Sequence, residues 1–363
     1  MSKKQKNGFG HPVFFVAIFL AILSLCLHIL SANSPTVADF IITRIASVFR
    51  AILAYLTAIF PFSLAEWLLL FSPVWLFLLL RLARRAAKDK RRSWRMLTAV
   101  LAVPLLLYSG FVFTLGTGYY GTPLADKLEL PAREPDGQTL YELTSYLSAH
   151  AEQEAKAAGV FVEREGSVSP LTHKQINLLL LSAYESLSEE YSFISNFQVG
   201  TKEVALSIPM AYTHITGVYS FFTGESNVCT AYPDYSVIFT AAHEMAHARG
   251  IAREDEANFM AYLACTRADH PYIRYAGYLN LMQYVSNALY DADRALFKQA
   301  WQEHSDLVVA ELLAYNDVLN SFSGSIASDV AGSINNAYLE GMGTGGSISY
   351  DRVVLLAVRY FAR

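Results

Sequence analysis

Three cysteines in 363 residues are too few for a disulfide framework, so the fold must rest on packing. Charge is also scarce. Charged residues make up 17 % of the chain, against about 25 % in a typical soluble domain, which excludes a disordered chain or a nucleic-acid-coating protein. No G-x-S-x-G elbow, P-loop or dinucleotide fingerprint stands out, and there is no internal repeat. Acidic residues are nearly missing from the first third: residues 1–115 hold 13 Lys+Arg and 3 Asp+Glu, whereas the remainder holds 15 and 29. A basic, apolar N-terminal part is thus joined to an acidic globular part, with residues 1–115 as the expected membrane anchor and 116–363 as the expected extracytoplasmic domain.

What the anchor does contain is long apolar runs. An uncharged stretch from Pro12 to Ala32 has about the 20 residues a bilayer crossing needs. Leu64–Ala83 and Met96–Leu115 are the second and third expected spans; Pro104 is tolerated where neighbouring groups satisfy the freed carbonyl. The apolar segment between the first two carries Asp39, Arg44 and Arg50, each costing about 2.5–3.5 kcal/mol at a bilayer centre, so it is expected to lie in the interface as an amphipathic helix. Lys3, Lys4 and Lys6 precede the first span, and eight basic residues from Arg81 to Arg95 lie between the other two. Placing both clusters in the cytoplasm requires two crossings between them, and the third crossing then carries everything after Gly116 outside. A cleaved signal peptide is the alternative for the first run, but "ILSA" is a poor cleavage site.

The globular part begins with a Gly- and Pro-rich linker and then shows helical periodicity, a β-branched and aromatic stretch over 199–230, and helix again nearly to the end, apart from the glycine-rich 341–347. This predicts an α+β domain, mostly helical with a small sheet. Cys229 and Cys265 could form one bridge if the domain is exported, or each could remain a buried thiol.

The string "FTAAHEMAHARGIAREDEANFMAYLAC" carries the chemistry. His243 and His247 stand at i and i+4 on one helix face and can share a metal ion, while Glu244 lies beside them as a general base. Gly250 can end that helix in a left-handed cap, and a second helix starts near Arg253. On it, Glu254, Ala257, Asn258, Ala261 and Cys265 share one face, which makes Glu254 the third ligand and Asn258 a partner to a ligand histidine. Glu256 is the runner-up; otherwise Asp255 and Glu256 read as a solvated helix start. The segment 223–233, with Glu225 and Asn227, is the candidate edge strand for an extended substrate. His270, Tyr272, Arg274, Tyr275 and Tyr278 are candidate donors to a developing oxyanion.

These residues resemble the gluzincin peptidases, whose third ligand is a Glu in an E-x-x-[AS]-[DN] pattern; Glu254-Asp255-Glu256-Ala257-Asn258 fits that pattern. The gap between His247 and Glu254 is short for a gluzincin. "EDEANFMAYL" is also similar to the third-ligand helix of bacterial regulatory metallopeptidases, and the whole chain resembles an uncharacterised bacterial membrane family, domain of unknown function 3810. The resemblance implies a zincin-like fold, one zinc per chain held by His243, His247 and Glu254, and hydrolysis of a peptide or protein substrate with Glu244 as base. The competing expectation is a metal-binding sensor or scaffold of the cell envelope that does not turn over. The bilayer is the other expected partner; nucleic acid is not one.

Overall fold

A computed structural model describes residues 10–341 and 349–363. Lys3, Lys4 and Lys6 and nearly all of the glycine-rich 341–347 stretch lie outside the described residues. Helix α1 spans Pro12–Asn33, started by the His11 side chain accepting from the Val13 N–H and by Pro12 in the first turn. Ser34 ends it in an extended conformation and caps α2 (Pro35–Phe40), which runs through a π-turn at Ile41–Ile45 into α3 (Ala46–Ala58). Then come α4 (Leu64–Leu70), α5 (Ser72–Ala86) and α6 (Lys90–Thr114). Helices α1 and α6 pack together. On α1 the buried residues are Ala17, Ser24 and Ser31, one every seven residues, a small-residue seam of the kind that lets membrane helices approach closely.

Helices α1 and α6 are each long and apolar enough to cross a membrane, and α4 with α5 makes a third crossing if the pair counts as one span. The expected span over 64–83 falls on this pair, which is bent by 53°. Pro73, in the first turn of α5, lacks the N–H that would continue the helical ladder, and its ring would clash with the Leu69 carbonyl.

In the segment expected to lie in the interface, two of the three charges have protein partners. Asp39 accepts from the Thr122 hydroxyl at 2.6 Å and pairs with Lys127 at 2.8 Å. Arg50 is fully buried and donates to the carbonyls of Ala248 (2.9 Å), Thr114 (2.7 Å) and Ile42 (3.0 Å) and to Ser195 Oγ (2.9 Å). Of the three charges that suggested an interfacial helix, only Arg44 is exposed. The other two have protein partners, which removes the cost that argued against burial.

After a 3-10 turn at Gly116–Tyr120 and α7 (Leu124–Lys127) come α8 (Gly137–Ala158), the hairpin of β1 (Val162–Glu163) and β2 (Gly166–Ser167), and α9 (His173–Glu190). Next are β3 (Thr201–Glu203), α10 (Ser207–Ala211), β4 (Gly217–Ser220) and β5 (Glu225–Val228). The rest is helical: α11 (Asp234–Ala248), α12 (Glu254–Arg267), α13 (Pro271–Ala292), α14 (Arg294–Glu303), α15 (Asp306–Ser321), α16 (Ile326–Gly341) and α17 (Ser349–Tyr360). The chain is therefore mostly helical with small sheets.

The three-stranded sheet has the order β3-β5-β4, with β5 parallel to β3 and antiparallel to β4. All four residues of β5 are buried, so the segment expected to be the edge is the central strand. Helix α11 lies against β5 and β4 on one side and α12 and α13 on the other, and the apolar faces of the three helices form about half of the main core. Cys229 and Cys265 are buried free thiols rather than a bridge; Cys229 donates to the Ser207 carbonyl at 3.2 Å.

Replacing Arg50 leaves three buried carbonyls short of a donor, each costing about 1–3 kcal/mol. Arg50→Met is expected to lower the thermal midpoint of the detergent-solubilised chain by about 6–12 °C, taking about 3 kcal/mol at about 2–4 °C per kcal/mol. Arg44→Met, at the exposed neighbour, should leave it within about 2 °C, since surface substitutions are usually within about 0.5 kcal/mol.

Candidate metal centre

Helix α11 is buried on nearly every side, which suits a run of Ala, Phe, Ile and Val and makes its polar residues conspicuous. His243 and His247 project from the same face, with ring centroids 4.6 Å apart. The helix ends in a Schellman turn: the Ile251 N–H reaches the Ala246 carbonyl (3.1 Å) and the Gly250 N–H reaches the His247 carbonyl (3.0 Å). Gly250 has φ +102°, and a Cβ there would lie 2.6 Å from the Arg50 guanidinium, so both conformation and space demand glycine. This turn reverses the chain tightly enough for Glu254, at the start of α12, to face both histidines across the short gap.

The Nε2 atoms of His243 and His247 are 3.0 Å apart. Glu254 places Oε2 at 3.1 Å from the first and Oε1 at 3.5 Å from the second. One donor atom from each of the three residues lies within 4.8 Å of the other two, which makes them a group able to hold a metal ion. Their outer atoms are engaged as such a centre requires. His247 Nδ1 is 2.8 Å from the Ile251 carbonyl, which only accepts, so Nδ1 carries a proton. His243 Nδ1 is 2.8 Å from Asn258 Oδ1, which sets the same tautomer. In the neutral rings both Nε2 lone pairs then point at one spot beside a carboxylate. Three electron-rich groups at that spacing repel unless a cation lies among them, so the donor set fits a divalent metal.

The charges agree. Burial opposes ionisation of Glu254, but the imidazoles of His247 and His243 override it and hold the carboxyl well below the usual carboxylate range. Burial would lower the affinity of His247 for a proton, yet Glu254 outweighs that and pushes it up to about 9. The centre is thus electrostatically tuned to a positive charge. Glu244 is different: burial, only partly offset by the histidines and by the Tyr219 backbone N–H, pushes its carboxyl up to about 7. Its Oε2 is buried with no protein hydrogen-bond partner.

Tyr219 and Gly217 belong to β4, the edge strand nearest the centre. The Cys229 N–H bonds the Thr216 carbonyl at 2.8 Å, which sets the register: Thr216, Val218 and Ser220 turn their backbone groups toward β5, and Gly217 and Tyr219 turn theirs outward. A Cβ on Gly217 would come within 2.6 Å of Glu244 Oε1. Glycine here lets the strand lie directly on the carboxylate. The sequence contained a signal for this strand in "ITGVYSFF", but the order of strands in the sheet could not be read from it.

A cavity of about 1780 Å³ opens over the centre, lined by His243, Glu244, His247 and Glu254 and by all of β4. Asn258 and Asn227 also line it. Asn227 Nδ2 donates to the Val218 and Glu225 carbonyls. The other sequence candidates lie elsewhere. Glu225 accepts from the N–H groups of Leu64 (2.9 Å) and Ala65 (2.8 Å) and from Lys202 (2.6 Å), so it caps α4. Tyr275 donates to the buried Glu311, and Tyr278 packs on His150 and Tyr262. His270 caps α13, Tyr272 bonds Ser167 and Arg274 pairs with Glu154; none of these aromatic and basic residues lines the cavity. Glu256 is turned away to the Leu124 N–H and Arg253, and both it and Asp255 are buried rather than solvated.

Fold and centre together define a mostly helical protein with helices long and apolar enough to cross a membrane and a candidate His-His-Glu metal centre facing a large cavity. The chain belongs to the family described as protein of unknown function (DUF3810), whose model matches residues 42–358, from the π-turn through α17. No curated protein and no solved structure matches it significantly.

Zinc titration of the purified full chain against a chromogenic chelator is expected to find one tight equivalent. Asn258→Ala should weaken it by about 10–100-fold, the usual cost of losing an outer-shell partner. Glu256→Gln should leave the affinity unchanged within about twofold, because that carboxylate serves Leu124 and Arg253.

Proposed function

We propose that the protein is a membrane-anchored zinc hydrolase that cleaves peptide bonds on a zincin-like scaffold. The observation that carries this reading is the buried Glu244 carboxylate, with one oxygen lacking any protein partner, beside three convergent metal-ligating groups and inside an open cavity. A structural metal site has no use for a second carboxylate so placed, whereas a hydrolytic one needs a base there. His243, His247 and Glu254 would hold the zinc. The metal would supply Lewis acidity and a water acidic enough to be deprotonated near neutral pH.

The chain's own residues supply the rest. Glu244 takes the proton of the attacking water and delivers it to the leaving amine; burial raises its proton affinity toward neutrality, where a group can do both. The hydroxyl goes to the carbonyl carbon, the C–N bond breaks, and no other reactant is consumed. The outward N–H and carbonyl of Gly217 and the outward carbonyl of Tyr219 offer an edge along which an extended peptide can hydrogen-bond, while the Tyr219 N–H is turned to Glu244. Asn258 and the Ile251 carbonyl keep both imidazoles in the tautomer that presents Nε2 to the metal.

Glu244→Gln should retain zinc within about twofold while losing about 10²–10⁴ in hydrolysis of a randomised peptide library, read by mass spectrometry on the detergent-solubilised full chain. Undiminished cleavage by that variant would rule out the mechanism.

A further inference from the structure

The cavity is much larger than the centre needs, and its far end reaches the membrane helices. A small-molecule site typically occupies about 300–1,000 Å³; this one has about 1780 Å³. Beyond the metal-ligating groups it is lined by Leu69, Leu70, Ser72 and Pro73, the residues on either side of the α4–α5 elbow. Facing them from the globular half are Leu206, Met210, Ile215, Val218 and Phe222. Leu69 is 76 % exposed, and Leu206, Ile215, Val218 and Phe222 are exposed as well, although they belong to the half that the charge distribution assigns to water. An apolar rim of this size on a soluble enzyme marks a surface that meets something apolar.

The elbow is held against the cavity from both sides. Glu66 accepts from the N–H groups of Ala205 (3.0 Å) and Leu206 (2.7 Å), which ties α4 to the segment that carries half of the rim. Glu225 caps the start of α4, and Lys202 donates to the carbonyls of Thr57 (2.8 Å) and Phe62 (3.0 Å) just before it. One continuous space therefore runs from polar groups at Glu244 and Asn227 to apolar ones at the bend within the α4–α5 pair, which is long enough to cross a bilayer when taken as one span.

We infer that the substrate is a membrane-anchored peptide bearing an acyl chain, its anchor lying along the elbow and the opposed rim while the adjacent peptide bond reaches the metal centre. This rests on the hydrolase reading and adds the class of substrate. A soluble peptide would leave the apolar end wet. A free phospholipid would fill that end but offer no extended backbone to the outward groups of β4. The amphiphilic profile of the space matches a ligand that is peptide at one end and hydrocarbon at the other.

The test uses the zinc-loaded full chain in phosphatidylethanolamine–phosphatidylglycerol vesicles, with one randomised decapeptide library presented both unmodified and N-palmitoylated. Cleavage of palmitoylated members is expected to be at least about tenfold faster, and Leu69→Asn with Ile215→Asn should bring that ratio toward one with zinc content retained. A photoreactive palmitoyl chain on the same peptides, bound to the Glu244→Gln chain, should label Met210 or Ile215 as well as the elbow. Equal cleavage of both libraries, or labelling confined to the outer faces of α1, α5 and α6, overturns the inference and leaves the peptidase reading standing. Cleavage of neither library removes both. Release of fatty acid from the vesicle lipid, with no peptide cut, would make lipid the substrate and overturn both as well.

Discussion

The turn between His247 and Glu254 is the constraint on which the rest depends. It must end α11, reverse the chain and start α12 within a few residues, and Gly250 at φ +102° is what allows it. The same turn brings the Ile251 carbonyl to His247 Nδ1 and so sets which nitrogen faces the metal position. Its outer side is filled by Arg50, close enough that any side chain at 250 would collide with the guanidinium. One short loop thus determines the tautomer of His247, the approach of Glu254 and the docking of α3. The close spacing of His247 and Glu254 is the reason the loop can do all three.

Sheet and cavity follow from how α11 is held. Ser226 Oγ donates to the Glu244 carbonyl at 2.9 Å, which anchors β5 to the motif helix. Next along the strand, Glu225 points the other way and caps α4. A four-residue strand therefore joins the α4–α5 elbow to the helix that bears Glu244. Its burial on all four residues explains why the edge role falls to β4, whose glycine lets backbone lie on the Glu244 carboxylate.

The legible features in the sequence were those set by neighbours along the chain. Two histidines four apart share a helix face whatever surrounds them, the glycine after the helix signals a left-handed cap, and the periodicity of 254–265 places Glu254 and Asn258 together. The structure brings these groups to hydrogen-bonding distance of one another. What could not be read depended on partners far away in sequence. Arg50 looked too costly to bury because its carbonyl partners lie in α6, α11 and the turn before α3. Glu225 looked like a substrate contact because nothing local shows that α4 ends on it. The tyrosines of α13 looked available because the Glu311 that engages Tyr275 lies 36 residues downstream. The choice between a bridge and buried thiols was hidden for the same reason: Cys229 and Cys265 are both free and buried in the core.

The reach of Arg50 also bears on how the chain is made. Its Nε meets the Ala248 carbonyl across 198 residues. At about 5–20 residues per second, that partner is synthesised about 10–40 s after the arginine itself. Three of its four partners are missing at first, and the α3 segment then carries a cation whose set fills stepwise as Thr114, Ser195 and last Ala248 are made, which works against its early burial in lipid. The ribosome thus delivers the membrane helices first and the residue that completes their packing much later. The packing of α3 against the end of α11 is therefore a late event in synthesis, complete only when the guanidinium has gained its last carbonyl.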